Sequence, residues 1–424
     1  MVLAKNTKFV MVLKHSWRPF LPVNLLVPEN IYQVPGVRLG TSCAGIKQTD
    51  RDDVALIVFE SGTSVAGVYT QSSFKAAPVV VAKENEDKSL AWVINSGNAN
   101  AATGSRGEED ARSTCEVVAS EVLGEASSVQ PFSTGVIGEF LPMEKLATGI
   151  KKAFQALDLD AWLQAAKAIM TTDTTPKITS SRHKLGEAEV TVTGISKGAG
   201  MMRPNMATML AFIASDAAVD KKILKELVKE VADSSFNRIT IDGDTSTNDC
   251  FMVGCTGLAD MLPIQDKQDP RYLSLKSLLI MHSQELAQAI VRDGEGATKF
   301  VTVRVEGGLD EKECLAVAYS IAESPLVKTA LFAGDANWGR LCMAIGKAPV
   351  ENLDNSLVGL WLDDVSVATR GMLSDSYDDA QGAGVLAKSE FLIRVDLGRG
   401  PCSADIWTTD LSYDYVKINA EYRT

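Results

Sequence analysis

The 424-residue sequence predicts an α/β protein in which helices pack on two β-sheets that lie face to face. Short apolar runs alternate with glycine-rich turns in the first third of the chain. Farther on, segments with apolar residues three and four apart alternate with strand-like runs. No exact internal repeat or low-complexity linker divides the chain.

Val54–Phe59 and Ala91–Ile94 read as strands, as does Gly67–Tyr69 with Val79–Val81 after it. Ser105 and Glu108 have the form of a capping box, and the apolar spacing from Cys115 to Leu123 continues a helix behind them. Helices are also expected from Met143 to Phe154 and from Leu159 towards Met170. Residues 171–190 are polar and then charged, and read as a loop around Pro176-Lys177 leading to a strand at Val190–Val192. The glycine-rich passage from Gly194 to Gly200 precedes Pro204, and Thr208–Ala214 then reads as a buried strand. In the next segment Ile223, Leu224, Leu227, Val228 and Val231 mark one helical face, while Lys221, Lys225 and Lys229 mark the other. Leu273–Ile290 reads as a further helix ending at the loop Arg292-Asp293-Gly294-Glu295-Gly296. Phe300–Val305 follows as a strand, Cys314–Ala322 as a helix and Leu326–Phe332 as a strand.

Composition narrows the function classes. A formal charge of −12 argues against a nucleic-acid partner, which calls for a basic patch, but leaves anionic metabolites open. Without an 18-residue apolar run, no membrane span is expected. Met1 to His15 carries Lys5, Lys8 and Lys14 and does not read as a signal peptide. The seven cysteines form no CxxC and suit buried thiols in a reducing cytoplasm. His15, His183 and His282 stand in no HExxH frame, so a histidine-based triad requires distant residues to converge. Asp242, Asp244 and Asp249 lack EF-hand spacing and read as a turn network, while Lys197–Gly200 lacks the Walker A pattern. Neither metal nor nucleotide is expected.

The passage from Lys197 to Leu210 contains the sharpest chemistry. On strand propensity alone, Thr208 simply opens a buried strand. A threonine hydroxyl needs a base to act as a nucleophile. As a chain N-terminus, Thr208 would supply its own α-amine, whose ordinary pKa is about 7.7–8.0. Cleavage would proceed by attack of the hydroxyl on the Ala207 carbonyl, followed by hydrolysis of the resulting ester. Small Ala207 and the upstream glycines permit a tight turn there.

This passage resembles the self-processing site of the glutamate N-acetyltransferase, or ornithine acetyltransferase, family, with the pattern K-G-S-G-M-I-x-P-N-M-A-T-M. The chain matches at Lys197, Gly198, Gly200, Met201 and Pro204 through Met209; it departs at Ala199 for serine and Met202 for isoleucine. Other matches follow in family order along almost the whole chain. They are Cys43-Ala44-Gly45-Ile46-Lys47, Ala76-Ala77-Pro78-Val79, Asn98-Ala99-Asn100, Thr134-Gly135, Thr171-Thr172-Asp173-Thr174, Asp242 to Asp249, and Asn337-Trp338-Gly339-Arg340. Ser72 departs, since asparagine is common there.

The resemblance implies a layered αββα arrangement of two packed mixed sheets flanked by helices, DmpA/ArgJ-like. It implies self-cleavage between Ala207 and Thr208 into an alpha chain, 1–207, and a beta chain, 208–424, which share one folded core and assemble as a heterotetramer of two alpha and two beta chains. The implied reaction moves an acetyl group from N-acetylornithine to glutamate through acetyl-Thr208, in arginine biosynthesis, without a cofactor. Acetyl-CoA remains open as a second donor.

Family carry-over makes Thr134 and Gly135 the oxyanion hole. It gives substrate-binding roles to Thr208, to one of Thr171 and Thr172, and to Lys197 and Glu295. The ending Tyr415 to Thr424 resembles Y-V-x-I-N-A-x-Y-x-T, which adds Asn419 and Thr424. Arg203 matches no strict family position and reads as surface or structural. An N-terminal-threonine aminopeptidase or amidase, with water as acceptor, remains the alternative.

Overall fold

The computed structural model describes residues 21–421 apart from residues 26, 48, 123 and 204–208. Ala207, Thr208 and Thr424 lie outside the described residues.

A four-stranded sheet runs, in spatial order, Val37–Ser42, Val54–Phe59, Ala91–Asn98 and Val129–Val136. Its last pair is parallel and the others antiparallel. A five-stranded sheet runs Ser64–Tyr69, Cys250–Cys255, Leu210–Ser215, Ala188–Lys197 and Lys177–Leu185. Here only the Cys250–Cys255 and Leu210–Ser215 pair is parallel. Strands from before and after residue 208 therefore share one sheet, the two later strands lying between earlier ones.

The two sheets pack face to face. Ile57, Trp92 and Phe132 from the first share a core with Ile195, Phe212 and Met252 from the second. Phe132 meets Phe212 edge-on across the interface, with ring centroids 5.0 Å apart. The strand period of two explains why Leu210–Ser215 is apolar in both phases. Leu210, Phe212 and Ala214 face the inter-sheet core, while Ala211 and Ile213 face the core on the opposite side.

Helices Lys221–Asp233 and Pro270–Arg292 cover that opposite side. Helices Gly104–Val122 and Met143–Gln155 cover the outer face of the first sheet. The layered αββα arrangement expected from the sequence is thus present.

A third, seven-stranded sheet was not anticipated. Its central strands are Glu390–Asp396, Phe300–Gly308 and Cys402–Thr409, and helices Glu311–Ala322, Pro325–Ala333 and Trp338–Gly346 pack on it. Phe300 and Trp407 join it to the core beneath the second sheet.

Four local expectations are corrected. Val79–Val81 lies in a helix, Ala77–Glu84, because Pro78 suits a first helical turn and the helix buries Val79, Val81 and Ala82. Leu326–Phe332 is also helical: Ser324 caps the N-terminus by accepting from Val327 N, Pro325 follows it, and left-handed Gly334 closes the other end. These caps outweigh the apolar run that reads as a strand. The loop expected across 171–190 contains the strand Lys177–Leu185, a sheet edge that tolerates Arg182 and Lys184 at its surface. Ser105 is not a cap, because its helix already begins at Gly104.

All seven cysteines are free thiols, but only Cys115, Cys250, Cys255 and Cys314 are buried as expected; Cys43, Cys342 and Cys402 are half-buried. Among the described residues, no single helix is long and apolar enough to cross a membrane.

Candidate active site

Thr134 and Gly135 end the parallel strand Val129–Val136, opposite Ser96 and Gly97. Gly135 has φ of 134°, and a Cβ built there would lie 2.3 Å from the Gly97 carbonyl carbon. Only glycine allows the two backbones this approach. Asparagines hold the surrounding loops. Asn248 Nδ2 donates to Ala99 O at 2.6 Å and to Ser133 O at 2.8 Å, while Asn98 Oδ1 accepts from Asn100 N at 2.8 Å.

Lys197 ends a strand of the other sheet, and its Nζ donates to Thr134 Oγ1 at 3.1 Å. Burial lowers the pKa of this lysine, and the charge of Lys177 adds to that; Asp173, Asp249 and Glu295 oppose it. Lys197 pairs with Leu210, which pairs on its other side with Cys250, and Cys250 N donates to Met209 O at 3.0 Å. The backbone just downstream of Thr208 is therefore fixed between two strands beside Lys197 and Asp249.

The Thr171–Thr175 segment is held by a buried ion cluster. Lys177 Nζ lies 2.6 Å from both Asp173 Oδ1 and Asp293 Oδ2, with all three side chains essentially inaccessible. Asp173 also accepts from Gly198 N at 2.7 Å and Thr171 N at 2.9 Å, and Asp293 accepts from Thr174 N at 3.0 Å. Burial alone would raise the Asp173 pKa, but Lys177, Lys197 and the Gly198 N–H outweigh it and hold the carboxylate well below its ordinary range. Burial opposes the charge of Lys177 in turn, and its two carboxylate partners raise its pKa nonetheless. This cluster was missed in the sequence, where Lys177 reads as a loop residue.

Two residues beyond Asp293, Glu295 donates its backbone N–H to Ala199 O at 2.8 Å. Its Oε2 accepts from Asn419 Nδ2 at 2.7 Å. Burial raises the Glu295 pKa against the lowering effects of the Thr172 hydroxyl and the Asn419 amide. A Cβ at Gly200 would lie 2.5 Å from Glu295 Oε2, so glycine is what lets the carboxylate sit there. Asn419 lies on the last helix, Tyr413–Ala420, which Ser412 caps by accepting from Tyr415 N.

Asp242 is a loop clamp. Its carboxylate accepts from Met201 N at 2.6 Å and Met202 N at 2.7 Å, which holds Met201 at a left-handed φ of 54°. Arg203 pairs with Glu323, in keeping with a structural role. Asp249 is buried, and its pKa is well above the ordinary value because of that burial. No group of three or more His, Cys, Asp or Glu residues suited to a metal ion occurs among the described residues.

Thr134, Gly135, Thr171, Thr172, Lys197, Glu295 and Asn419 all line one cavity, together with Ser246 and Asn248. Every expected site residue within the described chain is thus brought together, while Ala207, Thr208 and Thr424 lie outside it. The lining offers a hydroxyl and a glycine amide side by side, a buried ammonium and a buried carboxylate. That array can take a polarised carbonyl at one end and a zwitterionic amino acid at the other.

Histidine chemistry is placed elsewhere. His282 Nε2 lies 2.6 Å from Ser181 Oγ and Nδ1 lies 2.7 Å from Thr179 Oγ1, between helix Pro270–Arg292 and the edge strand. These residues do not line the cavity.

The ArgJ family model matches residues 38–424. The "Arginine biosynthesis bifunctional protein ArgJ" of Pseudomonas syringae pv. tomato is 52% identical over 395 residues, covering 93% of this chain and 98% of that protein. The protein of the same name from Pseudomonas fluorescens is 50% identical over 395 residues, with the same coverage. A crystal structure of the Bacillus halodurans protein of that name is 36% identical, covers 50% of this chain and 99% of its own, and has a TM-score of 0.48.

Proposed function

We propose, from the premise that the chain belongs to the ArgJ family of acetyltransferases in arginine biosynthesis, that it transfers acetyl from N-acetylornithine to glutamate through an ester on Thr208. The observation that carries this reading is the cavity, where residues from widely separated segments of the chain converge beside the strand that begins at Leu210.

Self-cleavage between Ala207 and Thr208 would divide the chain into alpha, 1–207, and beta, 208–424, with Thr208 as a new N-terminus. Its neutral α-amine takes the hydroxyl proton as Oγ attacks the acetyl carbonyl. The oxyanion receives hydrogen bonds from the Thr134 hydroxyl and the Gly135 amide. Because Thr134 Oγ1 accepts from Lys197, its own hydrogen is free to point at the oxyanion, and the adjacent positive charge strengthens that donor. The proton held on the Thr208 amine passes to the departing ornithine nitrogen, leaving acetyl-Thr208. The neutral amine of glutamate then attacks the ester, giving N-acetylglutamate and restoring Thr208.

In this scheme Lys197 attracts the α-carboxylate of the substrate. Glu295 receives the side-chain ammonium of ornithine, and its own desolvation favours a cationic partner. Thr171 or Thr172, Asn419 and Thr424 orient the ligand. Acetyl-CoA is the second acetyl donor that this reading allows. The assembly proposed is two alpha and two beta chains.

Intact-mass analysis tests the scheme. Cleavage gives fragments of 207 and 217 residues, and brief exposure to N-acetylornithine adds one acetyl mass to the larger alone. Ornithine release that depends on glutamate separates transfer from an amidase, for which water suffices. An active but uncut chain overturns the assignment of Thr208.

A further inference from the structure

Lys197 is a buried cation whose Nζ donates to the Thr134 hydroxyl, yet it forms no ion pair among the described residues. A carboxylate belongs to its immediate surroundings nonetheless. Asp173 is buried and acts on the charge of Lys197, but both its oxygens are engaged elsewhere. Oδ1 accepts from Lys177 Nζ at 2.6 Å and Gly198 N at 2.7 Å, and Oδ2 accepts from Thr171 N at 2.9 Å. Lys177 also holds Asp293 at 2.6 Å.

Asp173 and Asp293 carry two negative charges, and Lys177 and Lys197 carry two positive ones. The four are electrically balanced, but both ion pairs fall on Lys177 and none on Lys197. A buried charge is stable only when compensated. Here the compensation for Lys197 is held one residue away in the network rather than in direct contact.

We propose that Lys177 is a positioning residue that occupies Asp173 and thereby leaves the Lys197 ammonium open to the carboxylate of an amino-acid substrate. This inference rests on the reading that Lys197 binds that carboxylate. Without Lys177, Asp173 would have Lys197 as its remaining cation and would compete with substrate for it. The same contacts tie Gly198, the Thr171 segment and the turn leading to Glu295 to one ammonium, so the cavity's anion-binding and cation-binding sides share a common anchor.

The charged groups acting on Lys197 are Asp173, Lys177, Asp249 and Glu295. Asp173, Asp249 and Glu295 stabilise its protonated form, whereas burial and Lys177 oppose it. Two substitutions in the network therefore act on Lys197 with opposite sign. Lys177→Met removes a repelling charge and extends protonation to higher pH. Asp173→Asn removes an attracting charge and ends protonation at lower pH.

The test is kcat/KM for N-acetylornithine as a function of pH, measured on cleaved enzyme. Lys177→Met raises KM at neutral pH by about tenfold or more through competition from Asp173, and moves the alkaline limb to higher pH. Asp173→Asn moves that limb to lower pH. Lys177→Met leaves two buried carboxylates without their cation and risks misfolding. The double variant Lys177→Met/Asp293→Asn removes one of them and shows the same KM increase and limb shift. Structural damage alone lowers activity in all three variants without separating the limbs, and limbs that stay together overturn the proposal. Lys197→Met is the separate control: unchanged KM overturns the carboxylate-binding reading itself. A raised KM with loss of the limb upholds that reading, and limbs that stay together in the other variants then count against Lys177 alone.

Discussion

The Lys197 ammonium donates to the Thr134 hydroxyl at 3.1 Å, and this bond joins the C-terminal ends of strands from two different sheets. Face-to-face packing brings the two ends to one side of the molecule. A polarising cation consequently stands behind a hydroxyl that is next to a glycine amide.

Thr134→Ala removes one proposed oxyanion donor and is expected to lower kcat by about 10²–10³-fold with a smaller change in KM. Thr134→Ser retains the hydroxyl and restores most of the rate. Steady-state kinetics on the cleaved enzyme checks both. Equal effects on kcat from serine and alanine would exclude the hydroxyl as the donor.

Gly200→Ala places a methyl 2.5 Å from the unshifted Glu295 Oε2, so the carboxylate must move. The 2.7 Å bond from Asn419 is disturbed with it. The expected result is about a ten- to hundredfold loss of kcat/KM for N-acetylornithine. Normal saturation kinetics in this variant would remove Glu295 from the substrate site.

Deletion of Arg423 and Thr424 is expected to depress turnover far more than thermal stability. The final helix keeps its Ser412 cap and its Asn419–Glu295 contact upstream of the deletion. Activity assays beside a melting curve check this. Unimpaired turnover would refute a role for Thr424.

His282 makes stability depend on acidity. Burial, with His183 adding to it, lowers its pKa from 6.5 to about 4. Between those values the unfolded chain binds a proton that the folded chain does not. Stability that is full above pH 6.5 is therefore lost progressively as pH falls towards 4, by on the order of 3 kcal/mol. Urea titrations of wild type and His282→Gln check the point. The variant is less stable at neutral pH but shows a flatter dependence across that window; parallel curves would remove His282 as the source.

Much of the layered core is legible because burial on two faces leaves a trace in a short run of residues. Leu210–Ser215 is apolar in both phases of the strand, and Lys221–Asp233 separates its apolar and charged faces at helical spacing. The candidate site residues are read from short motifs rather than from periodicity. Thr134-Gly135, Lys197, Glu295 and Asn419 each have an ordinary local reading, and their order along the chain marks them out.

Val79–Val81 and Leu326–Phe332 show where apolar composition misleads, since prolines in the first turns and the caps around Leu326–Phe332 favour helix over strand. Lys177 shows a deeper limit. Its partners lie 4 and 116 residues away, and nothing in Pro176-Lys177-Ile178 distinguishes a solvated loop lysine from the centre of a buried ion cluster. The sequence by itself determined the strand and helix faces, and the residue types from which a site can be built. Tertiary structure decided which charges are paired and which are left open, because pairing depends on burial and on distances between strands that meet only when the sheets close.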